Sequence, residues 1–147
     1  VDMGIRSYPS HHDNVLAGMN SIDLATTKSR GEADKAISQH VTDLGTKQFL
    51  MKNLYWVEKG KLGLRMNLEV LKSNVEEVGE ALPISNTFAG DTLFLRGNKS
   101  EYITLNDTAL IKMQFPNSTI ETIENAGHWL HAENPEAFYN NVMRFLN

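Results

Sequence analysis

The segment Ala126-Gly127-His128-Trp129-Leu130-His131-Ala132-Glu133-Asn134-Pro135-Glu136 holds the densest group of side chains able to do chemistry. An imidazole ordinarily titrates at ~6.5, so it can take and return a proton near neutrality. His128 follows a glycine, just beyond one predicted strand and just before a predicted helix. That puts it at the carboxyl end of a strand, where open α/β sheets carry their sites. The competing reading is a loop histidine that only hydrogen-bonds backbone. His128, His131 and Glu133 also have the side-chain types of a metal site. They lie in a loop running into a proline-capped helix rather than on one helical face, and no further ligand cluster accompanies them, so no metal is expected. His131 reads as a packing or hydrogen-bonding neighbour. His11 and His12 precede a helix start and read as solvated.

A chain of 147 residues suits one ordinary domain. With 41% hydrophobic and 22% charged residues it has material for a core, which excludes disordered, collagen-like and coiled-coil classes. A formal charge of -4 argues against nucleic acid as a partner. No apolar run approaches the ~20 residues of a bilayer span, so no membrane partner is expected. The absence of cysteine excludes disulfides and thiol nucleophiles, and it fits a reducing compartment; the expected location is the cytoplasm.

From His11 to about Leu82 the pattern is helical. Val15, Met19 and Ile22 recur at four- and three-residue spacing. Ser29 and Glu32 form a capping box ahead of Ala33, Ala36, Ile37 and His40. Phe49, Leu50 and Leu54 follow Thr46, which can cap their helix, and Leu68, Leu71, Val75 and Val78 make a fourth stripe ended by Gly79. Between the last two, Tyr55 to Leu62 reads as a short hairpin turning at Gly60. After Pro83 the texture changes. Thr92-Leu93-Phe94-Leu95-Arg96 reads as a buried strand entering a loop. Thr104 and Asp107 start a helix that Pro116 stops, Ser118–Ile123 is a second strand, and Asn134-Pro135 opens a helix with Phe138, Val142 and Phe145 on one face. Strand, helix, strand, helix is a right-handed parallel unit. Two strands make a poor sheet, so the expected fold is the end of an α/β sheet with a helical insertion. The chain opens Val1-Asp2-Met3-Gly4 without an initiator Met, which natural processing or a cut through a longer protein would each produce.

The loop Gly127-His128-Trp129-Leu130-His131-Ala132-Glu133-Asn134-Pro135 resembles the Gly-His-Trp-x-His-x-Glu-x-Pro loop of the α/β-hydrolase superfamily, in particular small bacterial carboxylesterases close to mammalian ABHD-type esterases. Leu93 to Tyr102 is similar to the family's penultimate strand and loop, and Arg65-Met66-Asn67-Leu68 to the end of its lid region. The resemblance covers essentially the whole chain. It implies an α/β fold, the C-terminal portion of a parallel sheet with a helical lid, divided into residues 1–10 (strand end and acid loop), 11–82 (lid) and 83–147 (core). It implies that His128 is the catalytic base and that Asp2, matching a Val-Asp segment before the lid, is the acid. Glu101 is the reserve acid, and Ser100 can hydrogen-bond whichever carboxylate serves. Trp129, Tyr55 and Trp56 are candidates to line an acyl pocket, with packing as the alternative. No metal or organic cofactor is required.

Such a hydrolase needs Gly-x-Ser-x-Gly at a strained turn, in the order Ser, acid, His. No serine here has glycine two positions before and two after. The nucleophile is therefore expected upstream of Asp2, in the N-terminal part of the same hydrolase, and the chain by itself is expected to be inactive toward a small ester substrate. Met3, Met19, Met51 and Met66 suit adaptable lid contacts or core filling. Three other readings stand beside the esterase: a dehalogenase or epoxide hydrolase with Asp as nucleophile, a non-catalytic ligand-binding module of this fold, and a small helical interaction domain that folds alone.

Overall fold

A computed structural model describes residues 1–9 and 12–147; Ser10 and His11 lie outside the described residues. The chain divides into two compact units, one of residues 1–8 and 80–147, the other of residues 9–79.

The second unit contains α1 (Asp13–Asn20), α2 (Arg30–Ile37), α3 (Leu44–Met51), a hairpin of β1 (Leu54–Glu58) and β2 (Lys61–Leu64), α4 (Leu68–Ser73) and a 3-10 turn (Val75–Gly79). Each helix is too short to be stable alone. They are held by one shared core of Met19, Ile22, Ala33, Ile37, Val41, Leu50, Leu54 and Leu62. Ser29 accepts from the Glu32 amide and starts α2, but the Glu32 carboxylate accepts from the Lys28 amide at 2.7 Å and not from that of Ser29, so only half of the capping box forms. The hairpin is antiparallel and turns at Gly60, whose φ of 77° is the left-handed conformation that glycine adopts freely.

Three further expectations are revised in this unit. The cap of α3 is Asp43, whose carboxylate accepts from the Thr46 amide at 2.6 Å, so Thr46 sits inside the first turn. Leu54 belongs to β1 rather than to a helical stripe, and Phe49 is exposed. The stripe from Leu68 to Val78 splits, because the Asn74 side chain donates to the Val70 carbonyl and closes α4. Leu71 and Val78 are left exposed.

The first unit is built on β3 (Thr92–Gly97) and β4 (Ser118–Ile123), parallel and in register from Thr92 opposite Ser118 to Gly97 opposite Ile123. Their connection is a 3-10 turn (Leu105–Asp107) and α5 (Thr108–Gln114); after β4 come a single helical turn, α6 (Leu130–Glu133), and α7 (Pro135–Leu146). Both faces of the strand pair are covered. Leu95 and Ile123 pack with Ala126, Leu130, Phe138 and Val142, while Phe94 and Ile120 pack with Ile5, Ile103, Ile111 and Phe115. Burial on two faces is why β3 reads as a nearly continuous apolar run, while β4 reads as a strand through its alternating, β-branched residues. Thr104 and Asp107 form a full capping box, and Asn134 caps α7 by accepting from the Ala137 amide. Of the α7 stripe, Phe138 and Val142 reach the core, whereas Phe145 and Leu146 are exposed. Among the described residues, no helix is long and apolar enough to cross a membrane.

Candidate active site

Because β3 and β4 are parallel, their carboxyl ends lie at one edge, and the loops leaving them are laced together. Asn98 donates its amide to the Ile123 carbonyl at 3.1 Å and Lys99 to that of Ala126 at 3.0 Å. The chain turns after β4 through Asn125, at φ 60°, a left-handed conformation that Asn tolerates better than most residues. Gly97 allows the two loops to touch, since a Cβ there would overlap the carbonyl oxygens of Ala126 and Gly127.

Asp2 reaches the same edge. Its amide donates to the Leu95 carbonyl at 2.7 Å, so the N-terminal segment continues alongside β3. Its backbone is also left-handed, φ 44°, which aims the side chain at the loop ends. The carboxylate is fully buried and receives three donors. Oδ1 accepts from the Gly97 amide at 3.1 Å; Oδ2 accepts from the Ser100 hydroxyl at 2.6 Å and lies 3.0 Å from His128 Nδ1. A buried carboxylate needs such partners, because an unpaired charge away from water is costly. With Asp2 ionised, Nδ1 carries the proton and donates it, which leaves Nε2 unprotonated and able to accept one. The His128 side chain is 46% exposed, so that nitrogen is open to a reacting group.

Glu133 fixes the other side of the loop. Its two carboxylate oxygens accept from the amides of Gly127, at 2.9 Å, and Trp129, at 3.2 Å, the residues flanking His128. This spends the side chain on the backbone of the loop. The Tyr102 ring lies against the imidazole, centroids 4.4 Å apart and planes at 42°.

Asp2, Ser100 and His128 are thus brought together. Glu101 is exposed on the surface; its backbone carbonyl accepts from Arg6, and His128 Nδ1 lies against Asp2. Trp129 is adjacent in the loop, its ring 6.0 Å from that of His131, and His131 lies in α6 rather than in a loop. Tyr55 and Trp56 are part-exposed residues of β1, in the other compact unit. Sequence reasoning missed Gly97, Tyr102 and the role of Glu133. The usable signals were a glycine ending a buried strand and a carboxylate four residues after Trp129.

Two parallel strands with helices on both faces, and a carboxylate–imidazole pair at their carboxyl edge, define the C-terminal portion of an α/β-hydrolase fold. The chain superimposes on a marine microorganism esterase with a TM-score of 0.91 at 30% identity, over 98% of this chain and 58% of that one. It is 33% identical to mouse sn-1-specific diacylglycerol lipase ABHD11 over 93% of its own length and 46% of the relative's. It is 32% identical to a putative esterase/lipase of Haemophilus influenzae, over all of this chain and 50% of that protein, and 30% identical to esterase YbfF of Escherichia coli, over all of this chain and 54% of that protein. No family model matches. The proteins this chain is similar to are α/β-hydrolase esterases and lipases, and it spans about half the length of the curated relatives it matches.

Proposed function

We propose that this chain supplies the base and the acid of a serine carboxylesterase. The observation that carries the reading is the 3.0 Å contact between buried Asp2 and the part-exposed His128, two residues 126 positions apart, in a chain similar to esterases. The nucleophile is a serine outside this chain, preceding Asp2 in the order that the fold imposes. Its hydroxyl attacks the ester carbonyl while His128 Nε2 takes the hydroxyl proton. Asp2 holds the ring and offsets the positive charge formed on it. The imidazolium then protonates the departing alcohol, leaving an acyl-serine. Water attacks the acyl group with His128 again as base, releasing the carboxylic acid and restoring the serine.

In this reading residues 11–82 act as a lid that selects acyl and alcohol groups, Trp129 meets the acyl group beside His128, and no metal or organic cofactor takes part. The absence of cysteine suits work in the cytoplasm. The 147-residue chain alone is expected to hydrolyse p-nitrophenyl esters no faster than buffer. In the full-length protein a fluorophosphonate probe should label one serine, and His128→Ala should abolish both labelling and turnover while ester binding persists. Undiminished turnover by that variant would remove His128 from the mechanism.

A further inference from the structure

The loop between β3 and the 3-10 turn is exposed at Glu101, yet its backbone is tied down on every side. Arg6 donates to the Glu101 carbonyl at 2.9 Å and Arg96 to the Ile103 carbonyl at 2.8 Å. Ser100 is bound to Asp2 and also accepts from the Tyr102 amide at 3.3 Å, while Ile103 is buried and Thr104 is held by Asp107. The Tyr102 carbonyl faces Gly4, where a Cβ would stand 2.5 Å from its oxygen. The residue these contacts fix in place is Tyr102. Its ring meets His128 at 4.4 Å, and Tyr8 packs edge-on behind it at 5.2 Å and 87°. Burial first, and Tyr102 second, push the Tyr8 phenol above its ordinary value.

We propose that Tyr102 is a positioning residue for His128. Asp2 fixes one edge of the imidazole, and the Tyr102 ring fixes its face. An aromatic face within ~6 Å of a cation attracts it, so the ring favours the imidazolium that forms as the serine attacks. The contribution comes from the π face and not from the phenol hydroxyl. This rests on the reading of His128 as base. The charged and titratable groups around the ring are Asp2 at its Nδ1, Glu133 bound to the flanking amides, His131 beyond Trp129, Lys99 at the Asn125 carbonyl, and Tyr8, Glu101, Arg6 and Arg96 around Tyr102. Changing Tyr102 leaves all of these side chains in place and removes one of the two causes that raise Tyr8.

The test uses the full-length protein, p-nitrophenyl butyrate turnover across pH, and three variants. Tyr102→Leu should lower kcat about five-fold or more with KM within two-fold, and move the acid limb of the kcat/KM profile down by roughly half a pH unit. Tyr102→Phe should restore both. Gly4→Ala, which displaces the Tyr102 backbone and leaves its side chain intact, should shift the limb in the same direction, and it decides the matter if Tyr102→Leu does not fold. A folded Tyr102→Leu with wild-type kcat and an unmoved limb overturns the proposal, as does Tyr102→Phe failing as badly as Leu. His128→Ala run alongside separates the two readings: activity in that variant sinks the base assignment itself, whereas an inactive His128→Ala beside an unaffected Tyr102→Leu sinks only this inference.

Discussion

Gly97 and Ala126 meet backbone to backbone, at a spacing that leaves no room for a β-carbon on the glycine. The first belongs to the end of β3 and the second to the turn that delivers His128, so the separation of the two strand-end loops is set by the absence of one methyl group. The same glycine also donates its amide to Asp2. A substitution here therefore pushes apart Asp2 and His128, the proposed acid and base, without touching either side chain.

Gly97→Ala should accordingly cost activity more than stability. Overpacking of this kind costs ~1–3 kcal/mol, partly relieved by movement of the exposed turn. That movement carries His128 away from Asp2, and displacements near 1 Å can cost about 100-fold in rate. Urea unfolding and kcat measured on the same full-length preparation check this. A variant of wild-type kcat would show that the turn adapts without moving the imidazole.

Asp2→Asn preserves the shape of the buried group and loses its charge. The amide can still accept from Gly97 or Ser100, but it can offer Nδ1 an N–H and so favour the wrong tautomer. Loss of the orienting carboxylate in a triad of this type costs ~10⁴ in kcat. Ser100→Ala removes one 2.6 Å bond from the same carboxylate and should cost far less, about five- to twenty-fold, since a hydrogen bond to a charged group contributes ~1.5–3 kcal/mol only part of which is felt in the reaction. A steady-state kcat for Asp2→Asn within ten-fold of wild type would refute its role as the orienting acid.

Much of this architecture could be read from local pattern. Thr92 to Arg96 announces a strand because helices cover both faces of the pair, Ser118 to Ile123 because it alternates and is β-branched, and Asn134-Pro135 announces α7 because the cap needs an oxygen and the first turn needs no amide. Patterns fail where two local solutions compete. Asp43 and Thr46 are both able to cap α3, and the carboxylate is the group that does so. The apolar spacing from Leu68 to Val78 promises one helix until Asn74 takes the Val70 carbonyl. The site was legible in its parts but not in its assembly: the loop of His128 and the segment of Asp2 came from resemblance to a family, and no periodicity links residues 126 apart. Tyr102 was invisible as a partner of His128, because a ring contact across two loops leaves no spacing signal.

Glu133→Ala tests whether the His128 loop is shaped by its own carboxylate. Two flanking amides would lose their acceptor, at a solvent-exposed site where water replaces it in part. Expected stability loss is about 1 kcal/mol or less, with kcat falling roughly ten-fold as the loop loosens. Glu133→Gln keeps one acceptor oxygen and should fall between. Equal kcat for all three proteins would mean that the loop is held by its other contacts alone.

The clamp between the N-terminal segment and the loop after β3 should fail in acid. Arg6 Nε donates to Asp107 Oδ1 at 2.9 Å, while Oδ2 accepts from the Thr104 amide at 2.7 Å and its hydroxyl at 2.8 Å. Burial alone would raise the Asp107 carboxyl, but these donors and the guanidinium outweigh it and hold it below its ordinary value. A carboxyl lowered on folding stabilises the protein above the unfolded pKa of ~3.9, and that contribution disappears as pH falls through the lower, folded value. Asp107→Asn should thus be less stable than wild type by about 1–3 kcal/mol at pH 7. The gap should narrow steadily below pH 4, where wild-type Asp107 itself takes up a proton. Urea melts of the full-length protein between pH 7 and pH 2.5 measure it, and a gap that stays constant over that range would show that the ionised form of Asp107 contributes nothing to the clamp.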